Sequence, residues 1–147
     1  MRRVHDSAER EWIVEYIAEL RDLMGLGHFT VTFQAYPPAE QDEVSTAAQI
    51  QIPDGKRDAT IQVDPDFVDE PPEEQRETLV HELVHCLLAD MGNMVYEDLK
   101  HPLGITAHAI FNDGFTRALE HATDAIAKAW AAQLPLPAPE HRAIKEN

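Results

Sequence analysis

The sequence predicts an α+β fold built as one domain. A helical apolar stripe comes first, three β-rich runs follow, and two further helical segments complete the order. Grouping of helices and strands along the chain is typical of this fold class. The length of 147 residues fits a single domain. We assign that domain to residues 1–134, followed by a proline-rich and polar C-terminal tail over residues 135–147.

The N-terminal segment predicts an amphipathic helix. Asp6 or Ser7 can cap it, and it is expected to run to about Met24 before Gly25 and Gly27 end it. Its apolar residues recur at three-to-four spacing and so share one face. They are Trp12, Ile13, Tyr16, Ile17, Leu20, Leu23 and Met24.

Three strands are predicted after this helix. His28 to Tyr36 alternates apolar and polar residues and is rich in β-branched and aromatic side chains. Two more such runs cover about Ser45 to Ile52 and Ala59 to Val63. Pro53-Asp54-Gly55-Lys56 between them has the composition of a turn, so these two strands are expected to form a hairpin.

The second half of the chain predicts helices. Glu70 to Glu74 is a helix start, because proline is tolerated in the first turn and glutamates there complement the helix dipole. This helix is expected to end near Asp90, at Gly92-Asn93. Met94 to Asn112 fits no single element, and a last helix is predicted from about Asp113 to Gln133.

Charge and cysteine content limit the function classes. The formal net charge of −15 repels phosphate backbones and anionic lipids, which argues against nucleic acid or a membrane as the main partner. It favours a neutral or cationic polypeptide, although solubility alone also explains it. The single cysteine excludes an intrachain disulfide. No apolar leader follows Met1-Arg2-Arg3, so we expect a cytoplasmic protein.

The chemistry-bearing motif is His81-Glu82-Leu83-Val84-His85. Two histidines four residues apart on a helix share one face and can bind one ion. Neutral imidazole suits zinc, and a catalytic zinc site leaves one position for water. Glu82 is rotated by about a quarter turn from His81, from roughly 3.6 residues per turn. It would therefore lie beside the metal, able to accept a proton from the water.

A third protein ligand must come from elsewhere. A metzincin would carry glycine and histidine where this chain has Leu88 and Met91, so that arrangement is excluded. Glu120, on the next predicted helix, is the better candidate. Asp124, four residues later on the same face, can accept a hydrogen bond from the non-coordinating nitrogen of a ligand histidine. Without the histidine motif, Glu120 and Asp124 would be interpreted as two acids on a solvent-exposed face of the helix.

These residues carry a family resemblance. His81-Glu82-x-x-His85 followed by Glu120-x-x-x-Asp124 resembles the signature of the gluzincins, the thermolysin-like zinc peptidases. The element order, over roughly residues 6–133, resembles the short single-domain minigluzincins. The resemblance implies a zincin-like fold with an N-terminal helix, a three-stranded sheet, an active-site helix and a C-terminal ligand helix.

The resemblance also implies roles. His81, His85 and Glu120 would bind one zinc ion per chain, and Asp124 would orient a histidine. The implied activity is that of an endopeptidase, in which a metal-activated water attacks a peptide carbonyl with Glu82 as general base and acid. The substrate would bind as an extended strand along a sheet edge, for which Ser45 to Ile52 is the candidate.

One part of the gluzincin pattern stays open in this sequence. The family usually adds a histidine or tyrosine that supports the oxyanion, and four residues are candidates: Tyr96, His101, His108 and His121. If none serves, the alternative is a weak or latent zinc protein that acts as a protein-binding module. A purely structural zinc site is disfavoured, because it has no use for an uncoordinated Glu82.

Overall fold

A computed structural model describes residues 7–35, 48–53 and 55–141. These ranges form an α+β fold with three long helices and a three-stranded mixed sheet, which confirms the predicted class. The helices are α1 (Ser7–Leu23), α2 (Pro72–Asn93), the short α3 (Lys100–Leu103) and α4 (Ile105–Ala131). The strands are β1 (Thr30–Ala35), β2 (Ala48–Gln51) and β3 (Asp58–Val63).

The sheet has the order β1-β3-β2. β2 and β3 pair antiparallel, with Ile50 opposite Ile61, so the predicted hairpin is confirmed. Its turn is closed by the Lys56 N–H, which donates to the Pro53 carbonyl at 3.0 Å, and Gly55 adopts a positive φ of 68° that favours glycine. β1 pairs parallel to β3 on the other side. Within the described strands, β2 therefore forms one edge of the sheet.

One hydrophobic core joins α1, α2 and the sheet. The predicted stripe of α1 is buried from Trp12 to Leu20. Ile61 of β3 and Leu79 and Leu83 of α2 have no exposed surface. Each such side chain contributes about 1.5–3 kcal/mol through burial. The core therefore holds α2, the helix that carries His81 and His85, on the side away from these histidines.

The segment between the two long C-terminal helices differs from the sequence expectation. The α-helix ends at Asn93 as expected, but the backbone continues into a π-helical turn over Met94–Asp98 and then α3. α4 begins at Ile105 instead of Asp113, so the predicted start is wrong. Gly104, with a φ of 78°, redirects the chain, and its carbonyl accepts from the His108 N–H at 3.0 Å.

The described part of the C-terminal tail packs beside α1. Tyr16 donates its hydroxyl to the Pro135 carbonyl at 2.8 Å, and the Trp12 and His141 rings stack 5.2 Å apart. Residues 142–147 of the predicted tail lie outside the described ranges, and the domain boundary at 134 stays a prediction. Across the described chain, no helix combines the length and apolar character needed to cross a membrane. The cytoplasmic location stays a prediction.

Candidate metal centre

Helix α2 presents the two histidines of the motif on one face. It begins with Pro72, which suits the first helical turn, and with Glu73 and Glu74 near the positive end of the helix dipole. The opposite face is buried in the core, so the histidines point away from it. The His81 and His85 rings lie 5.1 Å apart at 72°, and their side chains are 21% and 20% exposed. Both imidazoles are therefore accessible yet held by a buried helix.

Helix α4 brings Glu120 to these histidines. Its carboxylate oxygens lie 3.5 Å from His81 Nε2 and 3.3 Å from His85 Nε2. Neighbouring Leu119 and Thr123 are buried against α2, and the Thr123 hydroxyl donates to the Leu119 carbonyl at 2.7 Å. This anchored turn faces Glu120 toward α2. Three residues predicted from the sequence as ligands are thus brought together by the fold.

The spacing of these donor atoms suits zinc. All three lie within 4.8 Å of one another, and within the described ranges this is the only histidine, cysteine or acidic cluster of that kind. Zinc bonds to nitrogen or oxygen are about 2.0–2.2 Å long, so neighbouring donors of a tetrahedron are about 3.3–3.6 Å apart. The His81 Nε2–Glu120 Oε2 and His85 Nε2–Glu120 Oε1 distances of 3.5 and 3.3 Å are of that size, each measured to a different carboxylate oxygen. Three ligands leave a fourth position for water.

Asp124 lies where the sequence predicted a supporting carboxylate. Its Oδ1 is 2.9 Å from His81 Nδ1, one helical turn beyond Glu120. A protonated Nδ1 that donates to this carboxylate leaves the Nε2 lone pair free, and Nε2 is the nitrogen facing Glu120. The pair therefore selects the tautomer that a metal requires.

Glu82 is the buried acid of the site. The residue is only 7% exposed, and no hydrogen bond joins its side chain to another residue of the described ranges. Burial, and secondly the charge of Glu120, raise the pKa of Glu82 to about 7. Burial lowers the pKa of His85, which favours the neutral imidazole that binds metal. The arrangement places a ligand set beside a carboxylate that can take up and release a proton near neutral pH.

An open cavity of about 480 Å³ lies over this group and along β2. His81, Glu82, His85 and Glu120 form part of its wall. Apolar and aromatic residues form much of the rest, among them Ile50, Ile52, Leu88, Ala89, Leu119 and Tyr96. A chain lying in this cavity would pass between the edge of the sheet and α2.

The structure distinguishes among the four candidates for oxyanion support. Tyr96 lines the cavity, and its hydroxyl is 3.4 Å from Thr116 Oγ1. Its direction comes from the π-helical turn, a local geometry frequent at functional sites. His108 is buried and its Nε2 bonds the Val95 carbonyl at 2.8 Å, while His101 and His121 are exposed and line neither cavity. Only Tyr96 is available to a group bound there.

Sequence reasoning missed a second cavity of about 510 Å³ on the other side of Glu82. It shares Ala48, His81 and Glu82 with the first, and its remaining lining is mostly acidic. These further residues are Glu70, Glu74, Glu77, Thr78 and Asp124. Part of the signal was present in the sequence: residues 74, 77 and 81 follow one another at three-to-four spacing and so share a face of α2, whereas Glu70 precedes the helix.

No protein-family model, curated protein or solved structure matches this chain. The gluzincin resemblance therefore stays an expectation from the motif residues and the element order.

Proposed function

We propose that this protein is a zinc-dependent peptidase. The observation that carries the proposal is Glu82: an acid only 7% exposed that lines the cavity, has no hydrogen-bond partner in the described ranges, and lies beside three converging ligand atoms. A structural metal site gains nothing from such a group, and burying it unpaired is unfavourable. A hydrolytic site needs it as the base. The fold, in this proposal, is zincin-like.

His81, His85 and Glu120 would hold the ion, with Asp124 fixing the His81 ring. When bound there, zinc would polarise water and lower its pKa to about 7. Glu82 accepts the proton of the attacking water and delivers it to the leaving amine. Tyr96, which lines the same cavity, would supply its hydroxyl as the donor for the developing oxyanion.

The substrate is a polypeptide that adds to the edge of β2. β2 pairs with β3 along one side only, and Ala48, Gln49 and Ile50 of this strand line the cavity over the ligand residues. An extended peptide can bond to such an edge through its backbone, whatever its sequence. The net charge of −15 favours neutral or cationic substrates over acidic ones.

Glu82→Gln tests the proposal. The amide keeps the shape of the side chain but cannot accept the proton, so hydrolysis should fall by at least about 10²-fold. Zinc content and thermal unfolding should stay as in the wild type, since Glu82 is not a ligand in this proposal. The assay is a mixed peptide library incubated with zinc-loaded protein and analysed by mass spectrometry, with Glu73→Gln, an exposed glutamate of the same helix, as matched control.

Two outcomes would redirect the proposal. A Glu82→Gln protein as active as the wild type would contradict the mechanism. A wild type that binds zinc but cleaves nothing in a broad library would favour the binding-module alternative.

A further inference from the structure

We infer that the acidic cavity beside Glu82 is a specificity pocket for a lysine or arginine side chain of the substrate, next to the scissile bond. The inference rests on the proposed peptidase function and names its substrate class. It follows from the continuity of the two cavities, from the unpaired carboxylates of the second one, and from their arrangement along α2.

The two cavities form one cleft with two chemistries. They meet at Ala48, His81 and Glu82, so one candidate ligand and the candidate base border both cavities. The first is lined largely by apolar side chains, and the second by Glu70, Glu74 and Glu77 together with Asp124. A peptide extended along β2 would therefore meet an apolar surface on one side of the reacting carbonyl and an acidic one on the other.

The acidic cavity lacks the partners that such a group of charges needs. No lysine or arginine in the described ranges forms an ion pair with Glu70, Glu74 or Glu77. Arg76, the basic residue nearest in sequence, donates instead to the Leu134 carbonyl at 2.8 Å. Unpaired acids at one site repel one another, and a bound cation relieves that repulsion.

Two buried oxygen-bearing groups point to a ligand independently of the exposed acids. The Glu82 side chain, 7% exposed and without a hydrogen bond in the described chain, forms the inner wall of the cavity. Glu70 Oε2 is fully buried and has no hydrogen-bond partner among the described residues. Buried polar atoms are rarely left unsatisfied in folded proteins, and a donor that enters the cavity would satisfy Glu70 Oε2 while Glu82 keeps its role as the base.

The shape favours a long organic cation over a metal ion. Described residues form one compact three-residue ligand cluster, and it contains none of Glu70, Glu74 or Glu77. The acids instead form a row along α2. From His81 back to Glu74 this row covers about two turns, or about 10 Å along the helix axis at roughly 1.5 Å per residue. A lysine or arginine side chain reaches outward from the peptide backbone along such a row, whereas an α-amino group on the backbone stays near the scissile bond.

The first test measures selectivity. Two peptides that differ only in lysine or norleucine at the cleaved position, as located by the library, are compared for kcat/KM. We expect a preference of at least about 10-fold for lysine, because hydrogen bonds to a charged group are the strong ones. Glu74→Gln/Glu77→Gln should reduce that ratio toward one. Glu19→Gln/Glu73→Gln removes the same charge from exposed positions outside the cavity and should leave the ratio unchanged.

The second test does not depend on cleavage. Nα-acetyl-lysine N-methylamide and its norleucine analogue are titrated into the full-length protein and followed by NMR. The lysine compound should shift the backbone amide signals of residues 74–78, the norleucine compound should not, and Glu74→Gln/Glu77→Gln should abolish the shifts.

The outcomes separate the two proposals. Binding of the lysine probe without any peptide cleavage would support the pocket and count against the peptidase. Cleavage without a lysine or arginine preference, or equal binding of both probes, would overturn the pocket while the peptidase stands. Calcium that binds at residues 74–78 and excludes the lysine probe would also overturn it.

Discussion

The two helices that carry the candidate ligands are anchored very differently. α2 is fixed through Leu79, Val80 and Leu83, which have no exposed surface. α4 has 27 residues, yet its buried residues are few: His108, Leu119, Thr123, Ala127 and Ala131. Its N-terminal half leaves Ile105 85% and Ile110 72% exposed. The histidines lie on a helix that is anchored in the core, whereas Glu120 lies on a helix with few buried residues.

This difference shows how the site is assembled. Core packing holds His81 and His85 in place before any ion binds. Glu120 and Asp124 depend on a single row of buried residues at four-residue spacing, from Leu119 to Ala131. Their side chains are also half-exposed, at 49% and 56%. An ion shared by both helices would therefore add most to the position of α4.

The largest expected effect is a difference in unfolding free energy between a substitution in α2 and one in α4. Leu79→Ala empties a fully buried position of α2 and should cost about 2–5 kcal/mol of unfolding free energy. Ile110→Ala, on the exposed half of α4, should change it by less than about 0.5 kcal/mol. Urea denaturation followed by circular dichroism measures both. Similar losses of unfolding free energy in the two variants would mean that Ile110 is buried in solution. The claimed difference in anchoring between α2 and α4 would then be wrong.

Glu120→Ala tests whether the peripheral helix supplies a ligand. The apparent free energy of zinc binding at a protein site is about 10–16 kcal/mol. If four ligands contribute equally, loss of one of them should lower the zinc affinity by roughly 10²-fold or more. Asp113→Ala removes another exposed carboxylate of α4 and should leave the affinity unchanged. Competition with a chromophoric chelator measures both. Unchanged affinity in Glu120→Ala would exclude that ligand and leave Glu97, His101 and His108 to be tested.

Asp124→Asn should have a smaller effect, because Asp124 acts through His81. The amide can still accept a hydrogen bond from Nδ1 but lacks the charge, so zinc affinity should fall about 10- to 100-fold without being lost. The same chelator competition applies. If both affinity and activity are those of the wild type, the carboxylate is only surface charge.

The smallest effect concerns Glu70 and pH. Burial, followed by the charges of Glu74, Asp64 and Asp66, raises the pKa of Glu70 to about 7 from an ordinary 4.5. The folded state therefore binds this proton more tightly than the unfolded state. The resulting stability is present below about pH 4.5 and is lost as pH rises through about 7.

Glu70→Gln cannot ionise, so it removes the loss of unfolding free energy that occurs when Glu70 becomes charged. At pH 8 it should raise the unfolding free energy by on the order of 1 kcal/mol, after discounting for partial solvent exposure, and at pH 4.5 by much less. Glu73→Gln, at an exposed position, is the control. Denaturation at the two pH values measures the difference. A gain that does not depend on pH would show that the burial of a charge is not its cause.

The parts of the fold that the sequence predicted are those encoded locally. The stripe of α1 and the turn between β2 and β3 depend on neighbours within a few residues. The parallel pairing of β1 with β3 is a non-local choice, which strand patterns do not specify. The start of α4 was missed because Ile105 to Asn112 is largely exposed and so carries no core-facing stripe.

The same distinction holds at the site. Histidines four residues apart, and acids four residues apart, share a face on any helix, so the sequence could predict both halves of the ligand set. Tyr96 could not be ranked above the histidines, because its direction comes from a π-helical turn that no local pattern announces. Glu74 reads locally as a residue that complements the helix dipole, and only the fold places it in a cavity beside His81.

A crystal structure of the zinc-loaded protein, with anomalous scattering measured at the zinc edge, tests the central claim most directly. The account predicts one zinc ion per chain, bound by His81 Nε2, His85 Nε2 and the Glu120 carboxylate. Its fourth position should hold a solvent molecule within hydrogen-bond reach of Glu82. A zinc ion with four protein ligands, or one bound away from Glu120, would contradict the account.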